Sequence, residues 1–420
     1  MITDILYRCP ICSSFDWLDG NTCRSCKAEV EILSRTRIAI NGKQESIACW
    51  YDKVLAFDLP ETQTGVILES KQVKLAIEEN SGVYKGCGGM TANHFTRKTF
   101  DEGTLTLTPE SLIFHGRSET KPVPFDTVMS ITIESNTIIV VSKDCGPLFF
   151  DFLDESGKKW EDFMQQALRK FHAPKEIFEF YPRIRFIGDR KTKSQSEKKT
   201  RELRMPVRKW YRSDFSLFFA IVRKIAKPLI KTLFSVRIEG LENIPDSGSA
   251  IMLVNHCSFL DSVILGVFPK RYIWFMAKNS QYKGAVLFWF LRLGRSFPVR
   301  RYNTDIQAVR NAIRVVQQGH ILGVFPEGER SWDGRMLPFK EGTMRLVLAL
   351  GKPIIPVGIS GAYSLMPRWT SSIKRVPVTI RIGDPMLFEQ IPLSQQTSPD
   401  IQSVTQTLRK RILSLAGDQL

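Results

Sequence analysis

Ala250-Ile251-Met252-Leu253-Val254-Asn255-His256-Cys257-Ser258-Phe259-Leu260-Asp261 decides how this 420-residue chain is read. The five apolar residues Ala250–Val254 form a short run of the kind buried on both faces of a sheet. From Phe259 to Val267 the apolar steps become helical. A strand that ends in polar residues and re-enters a helix is the repeating unit of an open α/β sheet, which carries its sites at the carboxyl ends of its strands. His256 and Asp261 are five residues apart, and one ideal helix would turn them about 140° away from each other. They can meet only if His256 precedes the helix and Asp261 sits in its first turn. Ser258 and Asp261 fit a Ser-x-x-Asp cap, which predicts a helix start at Ser258. Asp261 can then accept from one imidazole nitrogen and leave the other as a base. A plain helix cap beside a bystander histidine is the competing reading of the same residues.

Moving outward, the alternation continues. Strands are predicted at Tyr272–Met276, Ile321–Phe325, Ile354–Gly358 and Val376–Ile382. Helices are predicted at Ala285–Arg292, Asp305–Gln317, Gly342–Leu350 and Asp400–Leu415. Three further polar clusters punctuate them. Phe325-Pro326-Glu327-Gly328-Glu329-Arg330-Ser331 ends a strand in a carboxylate and a guanidinium, and arginine can grip a phosphate through two parallel hydrogen bonds. Gly294-Arg295-Ser296-Phe297-Pro298-Val299-Arg300-Arg301 adds cations, and Pro353–Gly358 forms a rigid apolar entrance.

In this order and at these separations the clusters resemble the glycerophospholipid acyltransferase family, which includes the 1-acylglycerol-3-phosphate acyltransferases. The resemblance covers residues 213–390. Asn-His-x4-Asp is met by Asn255, His256 and Asp261; Gly-x-x-Phe-x-x-Arg by Gly294, Phe297 and Arg300. Phe-Pro-Glu-Gly-Thr-Arg-Ser is met at Glu327, Gly328, Arg330 and Ser331, and the last block at Pro356, with Phe339–Gly342 also fitting. The resemblance implies a thioester donor, acyl-CoA or acyl-carrier protein, and a lysophospholipid acceptor. It further implies His256 as general base oriented by Asp261, the other matched residues as substrate contacts, and no catalytic metal. The departure is Glu329 in place of threonine, a carboxylate beside Arg330 that would partly neutralise a phosphate site.

Upstream, residues Arg183–Arg212 hold twelve Lys/Arg against three acids and lack apolar periodicity, as in a solvated linker. On a helical wheel after it, Phe215, Phe218, Val222, Ile225, Leu229 and Leu233 share one side. Arg223, Lys224, Lys227 and Lys231 take the other, and Pro228 predicts a kink or split. Such a helix suits an anionic bilayer, each base adding about 1 kcal/mol of attraction; packing on the next domain is the alternative.

Residues 34–174 read as mostly β. Strands are expected at Gly65–Leu68, Gly103–Thr108, Ser111–Phe114, Val128–Ile133, Thr137–Ser142 and Leu148–Leu153. An amphipathic helix carries Trp160, Phe163, Met164, Ala167, Leu168 and Phe171. Gly103–Gly116, Pro124–Ile131 and the Trp160 helix resemble a GRAM or pleckstrin-homology-like domain. Such domains bind lipids or proteins, and no dense basic cluster here chooses between them.

Cys9-Pro10-Ile11-Cys12 and Cys23-Arg24-Ser25-Cys26 are two hooks ten residues apart, each able to offer two thiolates to one tetrahedral zinc. The segment resembles a zinc ribbon, which implies a structural zinc on Cys9, Cys12, Cys23 and Cys26; two disulfides or free thiols are the other reading.

The expected architecture is therefore multidomain. It comprises a zinc ribbon (1–33), a mostly-β PH-like domain with a C-terminal helix (34–174), a basic linker (175–212) and an α/β acyltransferase domain (213–420). Lys plus Arg is 59 against 43 acids, a net charge of +16 that calls for an anionic partner. With no recognition helix and no histidine in the cysteine hooks, nucleic acid is not expected as that partner. No apolar run reaches the roughly 18 residues of a spanning helix and no secretory signal is visible, so a peripheral position on the cytoplasmic side of a membrane is expected. A protein partner for the ribbon or GRAM-like part stays open. So does a membrane adaptor with little transfer activity.

Overall fold

The computed structural model describes residues 2–60, 65–175, 217–282 and 285–417. The expected linker, apart from Lys175, and Phe215 lie outside these residues.

The amino-terminal half begins with a small hairpin of β1 (Leu18–Asp19) and β2 (Thr22–Cys23). β3 (Val30–Ile32), β4 (Arg37–Ile40) and β5 (Lys43–Ser46) follow as an antiparallel sheet. Ser46 caps α1 (Ile47–Leu55) by accepting from the Cys49 N–H. Then come two long strands, β6 (Leu68–Lys85, 18 residues) and β7 (Thr91–Leu107, 17 residues), paired along nearly their whole length. At about 3.3 Å per residue they reach on the order of 55 Å. The sequence reading placed strands only at the outer ends of this hairpin. Register shifts at Ser70/Val73, Leu75/Ala76 and Asn80/Gly82 explain why: each breaks the two-residue alternation by which strands are recognised.

β8 (Ser111–Gly116), β9 (Thr120–Pro124), β10 (Val128–Glu134), β11 (Thr137–Ser142) and β12 (Gly146–Phe152) complete an antiparallel sheet of seven strands. Its order is β10-β11-β12-β6-β7-β8-β9. Against it lies α2 (Gly157–His172), N-capped by Ser156, burying Trp160, Phe163, Met164, Ala167 and Leu168. The larger of these, such as Phe163, Met164 and Leu168, each contribute roughly 1.5–3 kcal/mol by leaving water. Ile5, Leu6 and Trp17 of the cysteine-hook segment join this same core, which runs unbroken across residue 33.

The carboxyl-terminal half alternates α3 (Leu217–Leu233), β13 (Val236–Glu239), β14 (Ala250–Val254), α4 (Leu260–Val267), β15 (Ile273–Lys278), α5 (Ala285–Leu293) and β16 (Ser296–Val299). It continues with α6 (Ile306–Gln317), β17 (Ile321–Val324), α7 (Glu341–Leu350), β18 (Ile354–Ser360), α8 (Ala362–Leu365), β19 (Val378–Ile382) and α9 (Ser398–Ala416). The sheet order is β13-β19-β18-β14-β17-β15-β16, parallel except where β18 meets β19. β13 and β16 were not foreseen; each is four residues long and interrupted by charges or by Pro298.

The β6–β7 hairpin joins the halves. Tyr84, Met90 and Ala92 near its tip belong to the core of the α/β half. The Tyr84 hydroxyl donates to Ser296 O at 2.8 Å, Asn311 Nδ2 to Thr91 O at 2.8 Å, and Arg314 Nη1 to Gly89 O at 2.6 Å. Gly88 adopts a φ of +58° in close contact with the Trp274 ring, where a Cβ would sit 3.0 Å from it.

Of the kink or split expected at Pro228 of α3 the split does not occur, since the helix runs through that residue, and the expected place of Arg223 is corrected. Arg223, expected on the basic face, is buried and donates to the carbonyls of Val267, the last residue of α4, and of Pro269. Exposed on the helix are a stripe of Ile221, Ile225, Leu229 and Leu233 at four-residue steps and, beside it, Lys224 and Lys231. No helix among the described residues is long and apolar enough to cross a membrane.

Candidate active site

β14 ends at Val254 and α4 begins at Leu260, so His256 lies in the turn over the carboxyl end of the sheet and Asp261 in the first helical turn. His256 Nδ1 is 2.9 Å from Asp261 Oδ2. The same oxygen accepts the N–H groups of Cys257 and Ser258, each at 2.8 Å. The helix starts two residues later than the cap pattern predicted. Ser258 Oγ accepts only a long 3.4 Å bond from the Leu260 N–H, while Asp261 is directed to the imidazole and the turn. An ionised carboxylate has only acceptors to offer, so the facing Nδ1 carries the proton and Nε2 keeps its lone pair. Phe325, after β17, stacks on the imidazole with centroids 3.9 Å apart. Burial, opposed by Asp261 and reinforced by Arg330 and Arg301, holds the imidazole below its ordinary range. A neutral ring is the form that can accept a proton.

His256 lines a cleft of about 800 Å³. Part of its wall is apolar: Val222, Ala226 and Ile230 of α3, Val263 and Val267 of α4, and Phe290 of α5. Another part is basic, with Lys278, Arg300, Arg301, Arg330, Lys340 and Arg368. Arg97, Glu134, Ser135 and Thr137 also line it, and these come from the amino-terminal sheet, which the sequence reading had treated as separate.

Of the residues expected to contact substrate, Gly294, Arg300, Gly328 and Arg330 line the cleft with His256. Asn255, Phe297, Glu327, Ser331 and Pro356 do not, and their positions show other work. Asn255 is buried and exchanges two hydrogen bonds with the backbone of Ile359, at 2.7 and 3.0 Å, tying the end of β14 to β18. Glu327 accepts the N–H groups of His256 and Leu337, each at 2.7 Å. Its burial pushes this carboxyl up to about 8, against the pull of those two bonds. The Ser331 N–H donates to His256 O at 2.9 Å. Phe297 lies in the hydrophobic core, and Pro356 is buried within β18. A motif mixes groups that touch substrate with groups that hold the backbone beneath them, and spacing alone cannot separate the two.

Other side chains also depart from expectation. Glu329 pairs with Arg368 at 2.5 Å rather than with Arg330. Burial would raise this carboxyl, but Arg368, Lys340 and Arg301 outweigh it and hold it well below the usual range. Arg368 was not foreseen because no motif surrounds it. Arg300 meets Glu78 of β6 at 3.3 Å and lies over the Phe95 ring. Cys257, next to His256, is buried away from the cleft, and burial pushes its thiol well up, which argues against a nucleophilic role.

At the amino terminus the four hook sulfurs lie within 4.8 Å of one another. Cys9–Cys26 and Cys12–Cys23 stand at 3.7 Å across the two hooks, and the Ile11 N–H points to the Cys9 sulfur. Four sulfurs about 2.3 Å from a tetrahedral zinc have edges of about 3.8 Å, so the donor set fits that ion.

Residues 235–360 match the Acyltransferase family model. The chain is 31% identical over 166 residues to a chloroplastic 1-acyl-sn-glycerol-3-phosphate acyltransferase of Brassica napus, covering 39% of this chain and 47% of that one. It is 26% identical over 200 residues to the 1-acyl-sn-glycerol-3-phosphate acyltransferase of Bacillus subtilis, covering 46% of this chain and 96% of that one. Among solved structures, the 1-acyl-sn-glycerophosphate acyltransferase of Thermotoga maritima aligns at 29% identity and a TM-score of 0.38, covering 46% of this chain and 76% of that one. The chain spans about half the length of the first curated relatives it matches. The family match lies in the carboxyl-terminal half.

Proposed function

We propose that this chain is an O-acyltransferase that moves a fatty acyl group from a CoA or acyl-carrier-protein thioester to a hydroxyl of a lysophospholipid such as 1-acylglycerol 3-phosphate, at a membrane surface. The observation that carries the reading is the oriented, neutral imidazole of His256 facing a cleft with an apolar and a basic wall. The similarity of residues 235–360 to the Acyltransferase family supports it.

In this mechanism His256 Nε2 takes the proton of the acceptor hydroxyl as its oxygen attacks the thioester carbonyl. The tetrahedral intermediate collapses, the C–S bond breaks, and the imidazolium returns the proton to the leaving thiolate. Asp261 fixes the tautomer and stabilises the transient cation. General-base help of this kind contributes roughly 10²–10⁴-fold, and co-binding of both substrates much of the rest. Arg330 and its neighbours hold the acceptor phosphate; the apolar helix wall takes the acyl chain.

The exposed stripe of α3, with Lys224 and Lys231 also exposed on that helix, suits a peripheral seat on an anionic bilayer. A structural zinc on the four hook cysteines and a PH-like character for β6–β12 with α2 complete the proposal. Support comes from the sulfur spacing and from the two meanders joined through β12 and β6 under a carboxyl-terminal helix.

The test is thioester-dependent acylation of a panel of lysophospholipids, with products identified by mass spectrometry. Transfer by the wild type and its loss in a folded His256→Ala variant are expected. Unchanged activity in that variant would reject the mechanism, and no transfer to any acceptor would favour a lipid-binding adaptor.

A further inference from the structure

Glu134 is the last residue of β10, in the amino-terminal sheet, yet it reaches the basic wall of the cleft. It is almost wholly buried. Its Oε2 is 2.7 Å from Lys278 Nζ and is paired with Arg97 Nη2, while its Oε1 is 3.7 Å from Arg301 Nη2. Burial disfavours the charged form of Glu134, but Lys278, Arg301 and Arg97 outweigh it and keep the carboxyl below its ordinary range. One carboxylate therefore offsets part of the charge of three cations that face the cleft.

The remaining wall follows the same pattern. Arg300 is paired with Glu78 and Arg368 with Glu329. Arg330 has no ion pair among the described residues, and it lines the cleft together with His256. Four carboxylates, Glu78, Glu134, Asp305 and Glu329, thus lie among the cations that would hold an acceptor phosphate. Two of them, Glu78 and Glu134, are supplied by the amino-terminal half. The headgroup meets a wall whose attraction these carboxylates reduce without cancelling. A phosphomonoester carries about −1.5 to −2 near neutral pH, whereas a phosphodiester carries a single charge. Internal carboxylates penalise the first more than the second, because repulsion scales with ligand charge.

We propose that Glu134 is a specificity-determining residue for the acceptor headgroup: delivered into the cleft by the amino-terminal sheet, it weakens the hold on phosphomonoester acceptors and so admits phosphodiester lysophospholipids. The inference rests on the acyltransferase reading above and names the headgroup class it selects. Glu134 acts through Lys278, Arg301 and Arg97 and needs no contact with the reacting atoms. Gln at this position keeps the shape and one acceptor but removes the charge, leaving three cations for the ligand.

The experiment measures kcat and KM of the full-length chain for 1-acylglycerol 3-phosphate and for 1-acylglycerophosphoglycerol, with one acyl-CoA, in the wild type and in Glu134→Gln. The variant is expected to raise the ratio of kcat/KM for monoester over diester by about five- to tenfold, chiefly through a lower KM for the monoester. Glu134→Asp keeps the charge and is expected to restore the ratio toward the wild type, which a merely structural role would not do. An unchanged or lowered ratio in folded Glu134→Gln overturns the inference while leaving the acyltransferase reading intact. Absence of transfer by the wild type to either acceptor removes both. Should Glu134→Gln fail to fold, Lys278→Gln decides: it removes one cation and leaves Glu134, so the ratio should fall, and a ratio equal to wild type overturns the proposal.

Discussion

The single contact between His256 Nδ1 and Asp261 Oδ2 fixes which imidazole nitrogen can work as a base. Asp261→Asn keeps the volume but leaves one oxygen for the turn N–H groups and turns an N–H2 donor toward the imidazole, which lets the ring adopt the other tautomer. The expected result is a loss in kcat on the order of 10²–10⁴-fold with little change in KM, read by steady-state kinetics. Because burial and the neighbouring arginines hold the imidazole below its ordinary 6.5, the acidic limb of the kcat/KM profile should lie below pH 6.5, with activity already level at neutrality. A limb centred above 6.5 would contradict the neutral-base assignment. Glu327 behaves differently. Its two bonds hold the backbone of His256 and Leu337, so Glu327→Ala should cost about 1–3 kcal/mol of folding stability, measured by denaturant unfolding, besides lowering activity. Gly328 next to it holds a φ of +74°, a conformation an L side chain rarely adopts, which explains the glycine at this point of the motif.

Two elements decide where the site sits and what reaches it. The β6–β7 hairpin is anchored in the α/β core by Tyr84, Met90 and Ala92, and along its length it delivers Glu78, Phe95 and Arg97 to the cleft region. Gly88→Val would force a branched residue to a positive φ against Trp274. It should loosen the tip, lower the thermal midpoint and raise the KM of the acceptor more than that of the acyl donor. α3 presents Ile225 and Leu229, 64% and 56% exposed, in a turn-to-turn stripe. Ile225→Glu with Leu229→Glu should cut binding to anionic vesicles in a flotation assay, since it removes apolar area and adds repulsion, while leaving the fold intact. Equal binding by this double variant would argue that some other surface meets the bilayer.

At the scale of the whole molecule, the halves are connected by buried charge. Glu134 and Glu329 both titrate below the ordinary carboxylate range in the fold. Across pH values below about 4.5 the unfolded chain therefore binds more protons than the native one, so stability falls as pH drops through that window. A thermal midpoint that declines on acidification below pH 4.5, and declines less in the double variant Glu134→Gln with Glu329→Gln, is the expected outcome. The cysteine hooks are coupled to the site by a second route. Trp332, just past the Glu327–Ser331 turn, packs in the amino-terminal core, and Arg335 pairs with Asp52 of α1 at 2.7 Å. Cys9→Ser, or chelation in solution, is therefore expected to lower both the melting temperature and acyl transfer; activity indifferent to either would uncouple that core from the cleft.

The sequence by itself determined the α/β character of the carboxyl-terminal half, the His256–Asp261 geometry and the four-cysteine cluster. Each of these depends on residues close together in the chain, where strand-to-helix transitions and hook spacing leave few conformations open. Only the tertiary structure decided which motif residues face the cleft and which hold the backbone, because Asn255, Glu327 and Ser331 find their partners across strands and turns that spacing does not reveal. It also decided that the amino-terminal sheet helps build the cleft. Glu134 and Arg97 are ordinary surface letters in the sequence. They become part of a charged wall only when a bulged hairpin, invisible to a two-residue alternation, carries one half of the chain into the other.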